Sequence, residues 1–273
     1  MKTVQSHGAE IPTIGLGTIW LRDEACVRTV VDASRLGYRH FDTAAGYLNE
    51  REVGEGLRAS GLSRDAMFVT TKVPPGALAP GAFERCVENS LKNLGLPAVD
   101  LLLIHWPSAE VPLPLAIASL CNAKRNGYAR HIGVANFPHC DARRGGRARL
   151  RAAGTNQIEV HPFIDQRRVV DACRGHGMAV TAYSPLARGR ALDHPVLAAI
   201  AKRHGKTPAQ VMLRYLIEQG FAAIPRSGNA AHVRANFDVF DFALGADDMA
   251  ALTALNATRM RVINPAYAPQ WDD

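Results

Sequence analysis

The chain has 273 residues, 47% of them hydrophobic, and a formal net charge of +7 with a sequence pI near 9.4. That length holds one sizeable core, no apolar run approaches the ~18 residues of a membrane span, and the start MKTVQSHGAEIPTIG lacks a secretory signal's apolar region. Five scattered cysteines without a CxxC pair, and dispersed basic residues with few interleaved aromatics, disfavour a disulfide scaffold and a nucleic-acid binder; the expectation is a cytoplasmic monomer with reduced thiols.

After an N-terminal piece at 3–11, short apolar strands alternate with amphipathic segments along the whole length. Strands are predicted at 13–17, 38–43, 67–72, 99–105, 131–135, 155–160, 179–183 and 222–225. Helices are predicted at 23–36, 49–60, 80–94, 113–126, 138–152, 167–176, 195–204, 208–218, 230–237 and 246–256. Asn49 reads as the cap of the second helix, and Thr207 as an N-cap followed by a first-turn proline. Gly145 and Gly146 weaken the helix at 138–152, whose Arg143, Arg144, Arg147, Arg149 and Arg151 read as a solvated face. The tail from Arg261 onward is irregular.

This order predicts an α/β chain forming a single (β/α)8 TIM barrel over residues 1–273, with extra helices after strand seven and after helix eight and a short C-terminal tail. The rival is a doubly wound nucleotide-binding fold. It requires a GxGxxG after an early strand, and neither Gly15-Leu16-Gly17 nor Gly54-Glu55-Gly56 completes one.

In such a barrel the functional side chains gather at the carboxyl ends of the strands. Asp42 follows the second strand, Lys72 ends the third, His105 ends the fourth, and Tyr47 lies just beyond Asp42. Three adjacent strands thus aim a carboxylate, an ammonium and an imidazole at one mouth, beside a phenol. A phenol ordinarily titrates near pH 10, and a neighbouring ammonium lowers that value, so Tyr47 reads as a proton donor. Asp42 orients Lys72, and His105 can donate a hydrogen bond to the same substrate oxygen. This set protonates an alkoxide as it forms, and with no iron or flavin motif in the chain a bound nicotinamide is the economical source of the hydride.

The segments GYRHFDTAAGYLNEREVG, VTTKV, LLLIHWP, HIGVANF, TNQIEVHP and AYSPLARG, in this order, resemble the aldo-keto reductase superfamily over essentially the whole chain. The ending APQWDD is similar to the bacterial 2,5-diketo-D-gluconate reductase branch. The resemblance implies a (β/α)8 barrel that binds NADPH, with Tyr47 as general acid and Asp42, Lys72 and His105 as its partners. It also implies that Tyr183 stacks on the nicotinamide and that Asn136 and Gln157 hold its carboxamide. Gly17 and Thr18 would line the cofactor, and Ser184, Pro185, Leu186, Arg188 and Gly189 would close over the pyrophosphate. Arg226 and Ser227 would hold the 2′-phosphate beside Gly228, with His232 and Asn236 near the adenine.

Three departures from the family pattern stand out. His232 replaces a common arginine, and because a histidine ordinarily titrates near 6.5 it is a weaker phosphate clamp at pH 7, so some NADH use is expected. Ala135 replaces a serine, and Val73-Pro74-Pro75 replaces a tryptophan after Lys72. The implied substrate is a small carbonyl compound, including sugar-derived keto acids, in a pocket walled by Trp20, Trp106 and the tail near Tyr267. Two alternatives stay open: a lyase using Lys72 as a Schiff base, and a nicotinamide-binding protein without catalysis. A metal site is not expected, because His105, His131 and His161 sit on separate strands.

Overall fold

The computed structural model of the chain describes residues 2–138 and 153–272; the predicted helix at 138–152, with its arginines, lies almost wholly outside the described residues. β1 (Thr3–Ser6) and β2 (Ala9–Pro12) pair as an antiparallel hairpin. Eight parallel strands follow: β3 (Leu16–Gly17), β4 (His40–Asp42), β5 (Phe68–Val73), β6 (Val99–Ile104), β7 (Ala129–Ala135), β8 (Thr155–Glu159), β9 (Ala179–Tyr183) and β10 (Ala222–Ala223). Each pairs with the next in sequence order. The last returns to the first: Gly15 N donates to the Ala223 carbonyl at 2.9 Å, Ala223 N to Thr13 O at 2.8 Å and Gly17 N to Pro225 O at 3.0 Å. These bonds close the eight-stranded sheet into a barrel.

The strands are apolar because both faces are covered, and all six residues of β6 are buried. Around them pack α1 (Asp23–Leu36), α2 (Glu50–Ala59), α3 (Ala82–Leu94), α4 (Leu113–Arg125), α5 (Arg167–Gly175), α6 (Pro195–His204), α7 (Pro208–Glu218), α8 (Ala230–Phe237) and α9 (Ala246–Ala254). α6 and α7 both lie between β9 and β10, and α9 follows α8, so the extra helices stand where the sequence predicts them. The hairpin covers the amino ends of the strands, where Ala9 and Ile11 cluster with Ala179 and Ala222. The carboxyl ends of the strands stay open.

Local chemistry sets several helix ends. Thr207 and Gln210 form a reciprocal capping box ahead of Pro208, and Gly37 ends α1 with a left-handed φ of 109° that a side chain would resist. Asn49 departs from expectation. It holds the N-cap position, but its side chain does not cap α2; it is buried and donates to the Thr18 and Leu21 carbonyls while accepting from Thr43. It therefore staples the loop after β3 to the loop after β4.

The glycines of Gly54-Glu55-Gly56 serve packing. A Cβ on Gly54 would lie 2.6 Å from the Leu94 carbonyl carbon, and one on Gly56 2.7 Å from Val30 Cβ, so the pair lets α2 approach α3 on one side and α1 on the other. An alanine in an exposed helix normally gains about 1 kcal/mol over glycine. At Gly54 the obstacle is backbone that cannot rotate away, so Gly54→Ala is expected to destabilise by about 2 kcal/mol in urea unfolding. A stabilised variant would show that the two helices can part without cost.

Candidate active site

A cavity of about 830 Å³ opens at the carboxyl ends of the strands. Asp42, Tyr47 and His105 line it, and Lys72 lies behind them with no exposed surface. Lys72 Nζ donates to Asp42 Oδ1 at 2.5 Å and to the Thr43 carbonyl at 2.7 Å, and it sits 5.0 Å from the centre of the Tyr47 ring. The other Asp42 oxygen accepts from Gln157 Nε2 at 2.7 Å. The Tyr47 and His105 rings meet edge to face, 5.6 Å between centres. The structure thus brings all four residues together. Because Lys72 does not line the cavity, its amine has no open approach to a substrate carbonyl, as a Schiff-base lyase would need.

The electrostatics refine the expectation for Tyr47. Burial raises its pKa, and the Lys72 charge pulls it down without overcoming that rise; the net shift is upward, where the sequence reading expects a net lowering. Tyr47 therefore holds its proton firmly at neutral pH. Burial alone would lower the pKa of Lys72, but Asp42 and Tyr47 outweigh it and the net shift is upward. Burial, reinforced by Lys72, lowers His105 to about 3, so its imidazole is neutral and carries one N–H to donate.

Gly17, Thr18, Trp20, Trp106, Asn136, Gln157, Tyr183 and Arg226 line the same cavity, as does the segment with Ser184, Pro185, Leu186, Arg188 and Gly189. Gly17 is needed twice over, because a Cβ there would meet the Ile224 carbonyl at 2.8 Å where the barrel closes. Asn136 donates to the His105 carbonyl and accepts from the Tyr183 hydroxyl at 2.6 Å. Ser227, Gly228, His232 and Asn236 are not brought to the cavity wall. The chain turns away after Arg226, with the Ser227 hydroxyl folded into a turn that accepts from Asn229 N at 3.0 Å, and Asn236 is buried in the last turn of α8.

Backbone strain gathers here. Trp20, Asn136, Ser184 and Arg188 all have left-handed φ values between 45° and 64°, a conformation that asparagine tolerates and that is costly for the other three. Trp20 is half exposed, its ring lies 4.6 Å from the Arg188 guanidinium, and its carbonyl accepts from Arg226. It is thus as much a contact for the two arginines as a pocket wall.

The sequence reading missed Val262, Ile263, Asn264 and Pro265, which line the cavity beside Tyr267, because an irregular tail has no periodicity to read. It also passed over Glu159, which the strand-end rule would have found: it is a buried acid at the carboxyl end of β8. Among the described residues no three His, Cys, Asp or Glu side chains cluster as a metal site requires, and no helix is long and apolar enough to cross a membrane.

The description "Aldo/keto reductase family" matches residues 13–257. The methylglyoxal reductase DkgB of Yersinia pestis is 40% identical over 266 residues, covering 96% of this chain and 99% of its own length. A solved structure provisionally identified as a 2,5-diketo-D-gluconic acid reductase B superposes with a TM-score of 0.96 at 40% identity, covering 100% of this chain and 98% of that one. The aldose reductase of Schistosoma japonicum superposes with a TM-score of 0.93 at 30% identity, with full coverage of both chains.

The low pKa of His105 has a consequence for stability. Between its ordinary value of 6.5 and about 3, the unfolded chain binds a proton at this position that the folded chain refuses. Stability is therefore unaffected above pH 6.5 and falls as the pH drops through that window. Replacing His105 with glutamine should remove up to about 1.4 kcal/mol per pH unit from the slope, measured by urea unfolding between pH 6.5 and 4.5. An unchanged slope would contradict the shift.

Proposed function

Because this chain belongs to the aldo/keto reductase family, we propose that it reduces small aldehydes and ketones to alcohols with NADPH, Tyr47 giving up the proton. The observation that carries this reading is the convergence of Tyr47, His105 and Asp42, with Lys72 buried behind them, on a cavity that Arg188 and Arg226 also line. The relatives support small, polar carbonyl substrates: one is a methylglyoxal reductase, another is provisionally a diketogluconic acid reductase.

The donor set fits a nicotinamide dinucleotide, the class of cofactor that the family uses. Two amides and a flat ring, from Asn136, Gln157 and Tyr183, stand near the tetrad, and the guanidinium groups of Arg188 and Arg226 line the same cavity. Gln157 commits its amide nitrogen to Asp42, leaving its carbonyl oxygen to accept from a carboxamide. Asn136 retains one N–H and one lone pair for the same group. Arg188 on its strap would face the pyrophosphate. Arg226 would face the adenosine 2′-phosphate, where a guanidinium favours NADPH by bidentate bonding, while Ser227, Gly228, His232 and Asn236 stand on the turn and helix behind it. When bound, the reduced nicotinamide supplies a hydride to the carbonyl carbon.

The chain's own residues do the rest. His105, neutral, donates a hydrogen bond that polarises the carbonyl and orients it. Tyr47 donates to the same oxygen and releases its proton as negative charge builds there. Lys72 stabilises the phenolate left behind, and Asp42 keeps Lys72 charged and fixed while that happens. Trp106 and Tyr267 exclude water from the reacting centre.

His232 is exposed on the first turn of α8 and lies outside the cavity wall. The preference for NADPH is therefore modest, and NADH is also used. An assay of nicotinamide oxidation with a simple aldehyde tests both parts. Tyr47→Phe should lose 10²- to 10⁴-fold in kcat with the NADPH Kd held, and His232→Arg should raise the NADPH-to-NADH ratio of kcat/KM by about tenfold. An unaffected rate in Tyr47→Phe would overturn the proton-transfer role. An unchanged cofactor ratio would remove His232 from cofactor selection.

A further inference from the structure

One buried acid at the barrel mouth has no part in the chemistry above. Glu159 ends β8 and is 1% exposed. Its Oε1 accepts from Val262 N at 2.6 Å and its Oε2 from Ile263 N at 2.9 Å. His161 Nε2, 3.1 Å from Oε1, completes the set. A carboxylate can only accept, and His161 Nδ1 accepts from Phe163 N, so the ring proton lies on Nε2. Phe163 extends the attachment, because its carbonyl accepts from Met260 N at 2.7 Å. Three backbone N–H groups of the tail are thus fastened to β8 and the turn after it.

What is fastened is a wall of the site. Past Arg259 the described tail has neither helix nor strand, so no ladder fixes its register. Yet Val262, Ile263 and Asn264 line the cavity, and Tyr267 meets Trp106 edge to face at 5.6 Å. Trp271 donates to Asn264 at 2.8 Å and packs its ring 5.9 Å from that of Trp106, so the tail returns to the residue that follows His105. Charge-assisted bonds to two successive amides fix both the position and the direction of this stretch, which apolar packing alone does not.

We infer that Glu159 is a positioning residue for substrate selection: its carboxylate holds the C-terminal tail in place as a wall of the carbonyl site, packed against Trp106. The effect on substrates rests on the reading of function above; the attachment itself does not. Glu159→Gln keeps the volume but sets an N–H against a backbone N–H, so one anchor is lost while the barrel is retained.

The test pairs two measurements on the full-length chain. Hydrogen exchange should show the Val262 and Ile263 amides protected in the wild type, although the tail is irregular, and at least one of the two exchanging tenfold faster in Glu159→Gln, with β5 and β6 unchanged. Steady-state kinetics should show KM for a bulky aryl aldehyde rising about tenfold in the variant and KM for a three-carbon aldehyde less than twofold, with kcat and the NADPH Kd held. Equal loss on both aldehydes, or unaltered tail exchange, overturns the assignment. Should the variant not fold, rapid exchange of both amides in the wild type overturns it equally. A wild type that reduces neither aldehyde contradicts the reading of function, and tail exchange then decides the attachment by itself.

Discussion

The buried ion pair between Asp42 and Lys72 is the constraint on which the mouth of this barrel depends. Neither group has more than a trace of solvent exposure, and an unpaired charge at such depth would cost several kcal/mol. The pair is tolerated because each member is hydrogen-bonded: Lys72 to Asp42 and the Thr43 carbonyl, Asp42 to Lys72 and Gln157. A well-packed apolar pair would serve stability at least as well. What the ions supply is a fixed positive charge directly behind the Tyr47 ring. Burial pushes the phenol to hold its proton and the ammonium favours its release, and the balance leaves Tyr47 protonated at rest with a stabilised conjugate base.

The surrounding cavity is made by turns under strain. Trp20, Asn136, Ser184 and Arg188 each adopt a left-handed conformation; Trp20 and Arg188 are tied to each other, and Asn136 to Tyr183. Such strain persists only where the rest of the fold overdetermines it. Barrel closure supplies that rigidity, since the bonds from Gly15 and Gly17 to the β10 segment set the loops after β3 and β10 side by side.

Much of this was legible in the sequence, for local reasons. α1 and α7 run over Asp23–Leu36 and Pro208–Glu218 as predicted, because Gly37 and the Thr207 capping box are punctuation that the chain reads by itself. Asp42, Lys72 and His105 could be found because strand ends share one face of a barrel. Four features escaped, each for want of tertiary context. The direction of the Tyr47 shift depends on burial, which a charge count cannot show. Asn49 has the sequence position of a cap, yet its side chain turns inward to staple two loops. Gly54 and Gly56 look like an incomplete nucleotide motif until their neighbours are known to be α3 and α1. The tail was expected as a wall near Tyr267, but its attachment escaped because Glu159 and Val262 are far apart in sequence and meet only in the closed barrel.

The most direct measurement is the titration of Tyr47 itself, followed by NMR of its labelled ring carbon, in the wild type and in Asp42→Asn combined with Lys72→Met. That double substitution removes both buried charges without stranding either. Lys72 acts on the phenol more strongly than Asp42 does, so Tyr47 should titrate at distinctly higher pH in the variant. A Tyr47 that titrates at the same pH or lower without the pair would contradict its role in preparing the proton donor.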